Sequence, residues 1–297
     1  MQIGFGNRDG RRWIALGMSL FAFMHASGTA LGEEPRRIVS LSPNLTQTIF
    51  ALGAGERVVG VGDFCNDPPA ALRLPRVGGW SNPNYEVITA LEPDLIVVLG
   101  RHEKVAEFAR RRKIPLAQIP MDSVATIRSG TLELGRLLVR EDAATSLTAR
   151  FDAQLADFRR QLERHAGRPR ARVYLSLTRK PGSLADLFTA SGDSFLDEAL
   201  RLAGGENIFH DVKQRYPQVS KESLVARCPE AILEIEAGAR LSESQRRQLV
   251  DDWRGLSSIP AVRDGRIEIL TDDILLLAGP RFPEIVEQLR KALWGAS

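Results

Sequence analysis

A repeat between the two halves of the chain limits the possible folds more than any other feature. An aromatic residue, a glutamate and a proline of the first half recur 136 positions later in the same order: Trp80 and Tyr216, Glu86 and Glu222, Pro93 and Pro229. An apolar segment follows each proline, at 95–99 and 231–235. A fixed internal period is the signature of duplicated supersecondary units, so we predict two lobes of similar structure. The alternative is that two generic helix–strand units share this spacing by coincidence.

Short apolar segments alternate with amphipathic ones along both halves. The segments typical of strands are 37–41, 58–61, 95–99 and 115–119 in the first half and 172–177, 231–235 and 267–270 in the second. Segment 95–99 contains no polar residue, as expected of a strand that is buried on both faces. Strands that alternate with helical segments form parallel sheets. The predicted fold class is therefore α/β, with two parallel-sheet lobes.

One long helix is predicted between the halves. Apolar residues recur every three or four positions on a single helical stripe, at Leu147, Phe151, Leu155, Phe158 and Leu162. No Gly/Ser linker separates the halves, so we expect this helix to join the lobes rigidly, with a ligand cleft between them. The predicted organisation is a signal peptide at 1–32, an N-terminal α/β lobe at 33–140, the interlobe helix at 141–168 and a C-terminal α/β lobe at 169–297.

The N-terminus has the layout of a secretory signal peptide. Arginines at 8, 11 and 12 precede the almost wholly apolar run 13–26, and small residues follow as far as Ala30. The run is shorter than the ~20 residues of a membrane span, although an uncleaved N-terminal anchor is the alternative. We expect cleavage and export to the periplasm. The chain carries a formal charge of +3, of which the first 32 residues carry +2, so the mature chain is close to neutral at +1. That balance predicts no nucleic-acid partner.

No catalytic motif is present in the sequence. It contains no Walker-type phosphate loop, no nucleophile elbow and no His-Glu-x-x-His zinc motif. His102, His165 and His210 are widely spaced, and Cys65 and Cys228 lack the spacing of metal ligands, so we predict two separate free thiols. We therefore expect no catalytic residue, no metal site and no cofactor. A periplasmic α/β enzyme, the alternative of another class, would require a cluster of perturbed titratable groups in the cleft.

Four aromatic residues lie in loop-like stretches instead of on periodic core faces, two in each half: Phe64, Trp80, Phe188 and Tyr216. Loops on a rigid scaffold carry binding residues, and ligands of α/β sheets bind beyond the carboxyl ends of the strands. For each aromatic residue alone, packing against a minor core is the alternative. As a set they predict a large, flat, apolar ligand that is held between the lobes.

Several segments closely resemble a known family. They are RIVSLSP at 37–43, VGGW at 77–80, ALEPDLIVV at 90–98 and GGENIF at 204–209. The resemblance is to the periplasmic binding proteins for iron-siderophores and vitamin B12, the helical backbone metal receptors, and it covers nearly all of the mature chain. Together with YPQVSKE at 216–222, the segments look most like the cobalamin-binding members. The resemblance implies that the protein captures cobalamin or a related corrinoid and delivers it to an ABC importer.

The resemblance also implies roles for individual residues. The corrin would lie against the four loop aromatics, and its amides or nucleotide tail would meet Asp273 and Arg281. Glu86 and Glu222, one in each lobe, would pair with arginines of the permease dimer, whose ATPase subunits drive uptake. Two equivalent carboxylates suit a partner with two-fold symmetry, although solvated glutamates are also common at helix starts. The binding protein itself is expected to be a monomer.

The sequence departs from the cobalamin-binding pattern at two positions. Leu99 or Gly100 stands where a cleft aromatic is usual, and Tyr216 stands where tryptophan is usual. His102 follows the same strand, where a solvent-facing side chain or a ligand of cobalt are the alternatives. A ferric siderophore or haem is the alternative substrate on the same fold, and docking on a sensory receptor is the alternative to a permease. An anionic iron chelate needs several cleft arginines, so the balance of basic and aromatic residues there distinguishes the ligands.

Overall fold

Residues 34–164, 167, 169–180 and 182–295 are described by the computed structural model. The predicted signal peptide and His165 lie outside the described residues. The first lobe contains a four-stranded parallel sheet of order β2-β1-β3-β4, with strands β1 (Ile38–Ser40), β2 (Val58–Val61), β3 (Leu95–Leu99) and β4 (Leu116–Ile119). Its helices are α1 (Pro43–Ala51), α2 (Tyr85–Ala90), α3 (Glu103–Arg112) and α4 (Val124–Leu137).

The second lobe follows the long helix α5 (Glu141–Arg164). Its strands are β5 (Ala171–Ser176), β6 (Leu187–Phe188), β7 (Gly205–Asn207), β8 (Gln218–Val219), β9 (Ala231–Ile235) and β10 (Ile267–Leu270). Its helices are α6 (Phe195–Leu202), α7 (Lys221–Arg227), α8 (Glu243–Asp251), α9 (Pro260–Arg263) and α10 (Phe282–Trp294). The main sheet is parallel with the order β7-β5-β9-β10, and β6 pairs with β8 in a small antiparallel sheet. These sheets confirm the predicted α/β fold class.

The two main sheets also confirm the internal repeat. Read from β2 and from β7, they have the same strand order and direction. In the first lobe Ile96 of β3 pairs with Leu116 of β4, and in the second Ile232 of β9 pairs with Ile267 of β10. Ile96 and Ile232 are separated by the period of 136 that the sequence shows. The lobes therefore share one sheet topology, with β3 and β9 in equivalent positions.

The turn before β3 and the turn before β9 match in backbone detail. The residue ahead of each proline, Glu92 or Cys228, has a left-handed backbone with φ of 45° or 43°, a conformation that non-glycine residues adopt rarely. The acidic residue after the proline then accepts hydrogen bonds from the start of the neighbouring strand. Asp94 accepts from the Arg37 amide at 2.9 Å, and Glu230 accepts from the Arg172 amide at 3.0 Å.

Helix α5 connects the cores of the two lobes. Its apolar stripe packs against α4 of the first lobe and against α6 and α10 of the second. Phe151 and Leu155 are buried in one continuous cluster with side chains of both lobes, and the Phe151 ring lies 6.1 Å from that of Phe282. Where α4 crosses α5, a Cβ atom on Gly135 would lie 2.3 Å from Cβ of Ala144, so this close approach requires glycine. Among the residues described, no helix combines the length and the apolar character needed to cross a bilayer.

Removing the Phe151 ring tests whether the two lobes share one core. We expect F151A to lower the free energy of unfolding by about 3–5 kcal/mol, because a buried aromatic side chain is replaced by a cavity. Urea denaturation should still show a single transition. L132A, on the exposed side of α4, is the control and should change the free energy by less than about 0.5 kcal/mol. Separate transitions for the two lobes would contradict a shared core.

Candidate ligand-binding cleft

A cleft of about 450 Å³ lies between the lobes. In the first lobe its walls come from the residues that end the four parallel strands or follow them: Leu41, Ser42, Asp63, Phe64, Leu99, Met121 and Asp122 lie among them. The second lobe contributes Phe195, Arg215, Tyr216, Leu276, Leu277 and Ala278. The cleft thus occupies the carboxyl edge of the first sheet, where ligands of α/β proteins bind.

Exposed apolar side chains concentrate in this cleft. Phe64 is 75% exposed, Trp80 50%, Leu276 43% and Tyr216 39%. All four line the cleft, two from each lobe, and they make up half of the large hydrophobic side chains that are exposed in the described part of the chain. Apolar surface gathered in a concave site, in place of scattered single residues, is typical of a binding site.

The loop that carries Trp80 is closed by backbone contacts. Gly78 forms an antiparallel bridge with Pro83, and the Asn82 amide donates to the Gly79 carbonyl at 3.2 Å. Gly78 has φ of +84°, and a Cβ atom there would lie 2.5 Å from the Asn82 carbonyl oxygen. Only glycine fits this position, which fixes how the loop leaves the sheet. The Asp63 amide, beside Phe64, donates to the Gly78 carbonyl at 3.1 Å and so ties the two aromatic loops together.

An ion pair between the lobes lies next to Tyr216. Arg215 contacts the Asp122 carboxylate at 2.6 Å, and its Nε donates to the Asp193 carbonyl at 3.0 Å. The flanking backbone is held by hydrogen bonds from the amides of residues 189 and 191. Partial burial raises the pKa of the Tyr216 phenol above its ordinary value, so its hydroxyl is neutral at physiological pH. Tyr216 therefore presents a flat ring with an uncharged polar tip.

The charges of the cleft are few and mostly compensated. Its charged lining residues are Asp63, Asp122 and Arg215. The arginine is already paired with Asp122, so no lining residue offers an unpaired positive charge. In the part of the chain that the structure describes, no group of three or more His, Cys, Asp or Glu side chains is arranged to hold a metal ion. The cleft is suited to apolar and uncharged polar contacts.

The structure brings three of the six predicted ligand contacts together and leaves three elsewhere. Phe64, Trp80 and Tyr216 line the cleft, and so does Leu99, one of the two positions at which the resemblance implies an aromatic residue. Phe188 is half-buried in β6, paired with Gln218. Asp273 is exposed outside the lining, and Arg281 is bonded to the carboxylate of Glu284 at 2.6 Å and pairs with Asp67 of the other lobe at 3.3 Å.

Leu276 is the main cleft residue that the sequence reasoning missed. The predicted contact on this loop was Asp273, three positions earlier, but the 3₁₀ turn Asp273–Leu276 places the leucine in the cleft instead. The available signal was the apolar run 274–278, directly after two aspartates and before Gly279 and Pro280. Such a run in a loop after a strand is a candidate for ligand contact in the same way as a loop aromatic.

His102 and the two cysteines are also placed by the structure. His102 neither faces solvent nor lines the cleft, because it is 7% exposed and lies behind Trp80. Cys65 is buried and Cys228 exposed, and both are free, as predicted. Burial raises the pKa of the Cys65 thiol, which accepts a hydrogen bond from Thr46. Neither cysteine contributes to the lining.

Glu86 and Glu222 occupy equivalent positions on the two lobes. Both are exposed, and each is the second residue of a short helix that a polar side chain caps, Asn84 for α2 and Ser220 for α7. Hydrogen bonds from its own backbone amide and from Ser220 lower the pKa of the Glu222 carboxyl, so this group is charged at neutral pH. The repeat thus presents two matching carboxylates, one from each lobe.

A larger groove of about 830 Å³ lies between α2 and α3, within the first lobe alone. Its lining includes Tyr85 and Phe108, whose rings stack at 4.6 Å, and a rim of both positive and negative side chains. We assign the ligand site to the interlobe cleft in spite of its smaller volume, because the exposed aromatic residues converge there from both lobes.

Comparison with known proteins decides the family. The sequence profile of the periplasmic binding protein family matches residues 38–274. The chain belongs to this family. Members of the family act in the periplasm, as the sequence analysis predicted for this chain.

Individual relatives cover almost the whole chain. It is 27% identical over 265 residues to a vitamin B12-binding protein of Pectobacterium atrosepticum, covering 88% of the chain and 89% of the relative. The solved periplasmic vitamin B12-binding protein of Vibrio cholerae is 27% identical with a TM-score of 0.72, over 88% of this chain and 97% of that one. A periplasmic heme-binding protein of Pseudomonas aeruginosa is 25% identical with a TM-score of 0.76, over 89% and 94%.

Substitution of Gly78 tests how strictly the Trp80 loop, which forms part of the cleft wall, requires glycine at this position. We expect G78A to lower the free energy of unfolding by about 1–3 kcal/mol, because its Cβ meets the Asn82 carbonyl in a strained backbone region. G53A is the matched control: φ is +74° there, but no atom lies within 4 Å of the added Cβ, so only the strain of a left-handed alanine remains, about 1 kcal/mol. Equal losses in urea denaturation would show that the loop relaxes around the new methyl group.

Proposed function

We propose that this protein captures cobalamin or a related corrinoid in the periplasm and delivers it to an ABC permease. The observation that carries the proposal is the composition of the cleft: four exposed apolar side chains and no unpaired cation among its lining residues. A corrin is large and flat, and its side chains are mostly neutral amides, so it matches aromatic walls with few charges. The vitamin B12-binding relatives support the same substrate class.

Haem or a ferric siderophore is the second candidate, because a heme-binding protein shares the fold at a similar level of identity. Haem carries two propionates and many ferric siderophores are anionic, so each favours a cleft with free arginine or lysine. The Arg215 guanidinium, the one cation among the lining residues, is already engaged by Asp122. Breaking that pair to receive an anion would leave a carboxylate without its partner, which is unfavourable.

The role that we propose is binding and delivery, without catalysis or a resident cofactor. A monomeric binding protein contributes affinity and orientation, and the ATPase subunits of the importer supply the energy for uptake. In this scheme Glu86 and Glu222 pair with arginines on the two halves of the permease. Exposed charges of this kind chiefly set the orientation and rate of docking.

Calorimetric titration tests the ligand assignment directly. We expect cyanocobalamin to bind one-to-one with submicromolar affinity, roughly −8 kcal/mol or better, and haem and a panel of ferric siderophores to bind much more weakly. Cobinamide, which lacks the nucleotide tail, measures how much of the affinity comes from the corrin ring. Binding of haem or of an iron chelate without binding of corrinoids would show that the second candidate, and not a corrinoid, is the ligand of the cleft.

Two leucines in 3₁₀ turns provide a matched test of the cleft. Leu276 lines the cleft, whereas Leu72, also an exposed leucine in a 3₁₀ helix (Pro69–Arg73), does not. We expect L276A to weaken cyanocobalamin binding about tenfold, through loss of apolar contact worth roughly 1–2 kcal/mol. L72A should leave the affinity unchanged. W80A and Y216A should each weaken binding at least as much as L276A. Equal affinities of L276A and L72A would contradict this placement of the ligand.

Charge reversal tests the docking role apart from ligand binding. We expect the double variant E86K/E222K to bind cyanocobalamin normally in calorimetry but to abolish corrinoid uptake when it replaces the native protein in cells. E243K is the control, because Glu243 is also an exposed glutamate in the first turn of a helix, α8, but lies outside the repeat. Unchanged uptake by the double variant would contradict permease docking and favour a receptor partner.

A further inference from the structure

A buried imidazole lies directly behind the exposed indole of the cleft. His102 is the N-cap residue of α3, and both of its ring nitrogens are engaged. The Val105 amide donates to Nδ1 at 3.3 Å, and Nε2 lies 2.6 Å from the Trp80 carbonyl oxygen. The backbone amide of His102 donates to Gln118 Oε1 at 2.8 Å. The ring is therefore held between its own helix and the Trp80 carbonyl, and Gln118 of β4 holds the backbone that carries it.

These contacts determine which ring nitrogen carries the proton. Nδ1 accepts from a backbone amide, so it must be unprotonated, and the hydrogen lies on Nε2, which donates to the Trp80 carbonyl. In this state Nδ1 has no free lone pair and Nε2 has a bound hydrogen. Neither nitrogen is available to coordinate a metal ion in the cleft. Outside its own helix, the His102 ring interacts with Trp80.

The hydrogen bond between His102 and the Trp80 carbonyl holds the tip of the Trp80 loop, whereas the other hydrogen bonds close its base. The base of the Trp80 loop is closed by the Gly78–Pro83 bridge and by the bond between Asn82 and Gly79. Trp80 itself lies at the tip, with its side chain half exposed. The two rings also meet edge to face, with centroids 4.7 Å apart and planes at 62°. His102 thus fixes both the backbone and the ring of Trp80 from behind.

In the described part of the second lobe, no histidine contacts Tyr216 as His102 contacts Trp80. The position 136 residues after His102 is Gly238. The Tyr216 carbonyl accepts a side-chain hydrogen bond from Gln214, a neighbour in sequence, at 3.4 Å. The repeat therefore reproduces the aromatic residue but not the histidine that contacts it.

We infer that His102 is a positioning residue that pre-organises Trp80 for stacking on a flat ligand. The inference rests on the proposed role of Trp80 as a ligand contact. A side chain that is already fixed in its bound orientation loses less conformational freedom on binding, so affinity rises without any new ligand contact. His102 contributes through Trp80 and does not touch the ligand.

Two conservative variants separate this role from helix capping. Asparagine can replace Nδ1 as the cap of α3, and it is a favoured N-cap residue, but it is too short to reach Trp80. Glutamine can place an N–H donor near Nε2 but caps the helix poorly. We expect H102N to keep most of the stability and to lose about five- to tenfold in cyanocobalamin affinity, the loss of one hydrogen bond and its ordering effect. H102Q should lose stability and keep most of the affinity.

Fluorine NMR of the ligand-free chain, labelled with 5-fluorotryptophan, measures the positioning itself. The Trp80 resonance is assigned with W80F. We expect one sharp Trp80 line in the native protein and in H102Q, and a shifted or broadened line in H102N, because the loop tip then samples several positions. A native line together with native affinity in H102N would overturn the inference.

The same measurements distinguish this failure from failure of the proposed function. If W80A binds cyanocobalamin as tightly as the native protein, the ligand assignment of Trp80 is wrong, whatever the NMR spectrum shows. If W80A loses affinity while H102N matches the native protein in both affinity and spectrum, the cleft assignment stands and the positioning role of His102 is wrong. Lower affinity in H102Q than in H102N would also contradict the positioning role.

Discussion

The packing of α5 between the two lobes is the constraint on which the cleft depends. Phe151 and Leu155 belong to one buried cluster with residues of both lobes, and Gly135 allows α4 to approach α5 closely at Ala144. Protein interiors are densely packed and resist deformation, so the lobes are held at a set separation. Trp80 and Tyr216 therefore face a space of defined width before any ligand arrives, and little binding free energy is needed to assemble the site.

The features that could be predicted from the sequence are those that depend on period and on local chemistry. The strand 95–99 is uniformly apolar, so its burial in a parallel sheet follows directly. The period of 136 predicted two similar lobes, and the structure extends the match to the left-handed residues Glu92 and Cys228. Phe64, Trp80 and Tyr216 could be assigned to the cleft because they lie in loops with turn-forming residues, where a core role is disfavoured.

The features that could not be predicted depend on contacts between distant segments. Arg281 pairs with Asp67 from the other lobe, and Leu276, not Asp273, is the residue of its 3₁₀ turn that lines the cleft. Helix α4 has a weak local helical signal, because it contains glycines and β-branched residues. Glu234, in the middle of a buried strand, is satisfied by Arg179 at 2.6 Å and by the Trp253 indole, partners that lie 55 and 19 positions away. The position of this glutamate in an apolar strand indicates that it needs a partner, but the sequence does not show which residue that partner is.

The ion pair between Asp122 and Arg215 has a consequence for the kinetics of capture. Because the two charges cancel within the wall of the cleft, this wall projects little long-range field into the solvent. A ligand without net charge then meets the cleft without electrostatic steering, and association at about 10⁵–10⁷ M⁻¹s⁻¹ is set by diffusion and orientation. Ionic strength has little effect on such an encounter. Differences in affinity between neutral ligands consequently come from their dissociation rates. The protein discriminates between such ligands by how long each stays bound to the apolar walls.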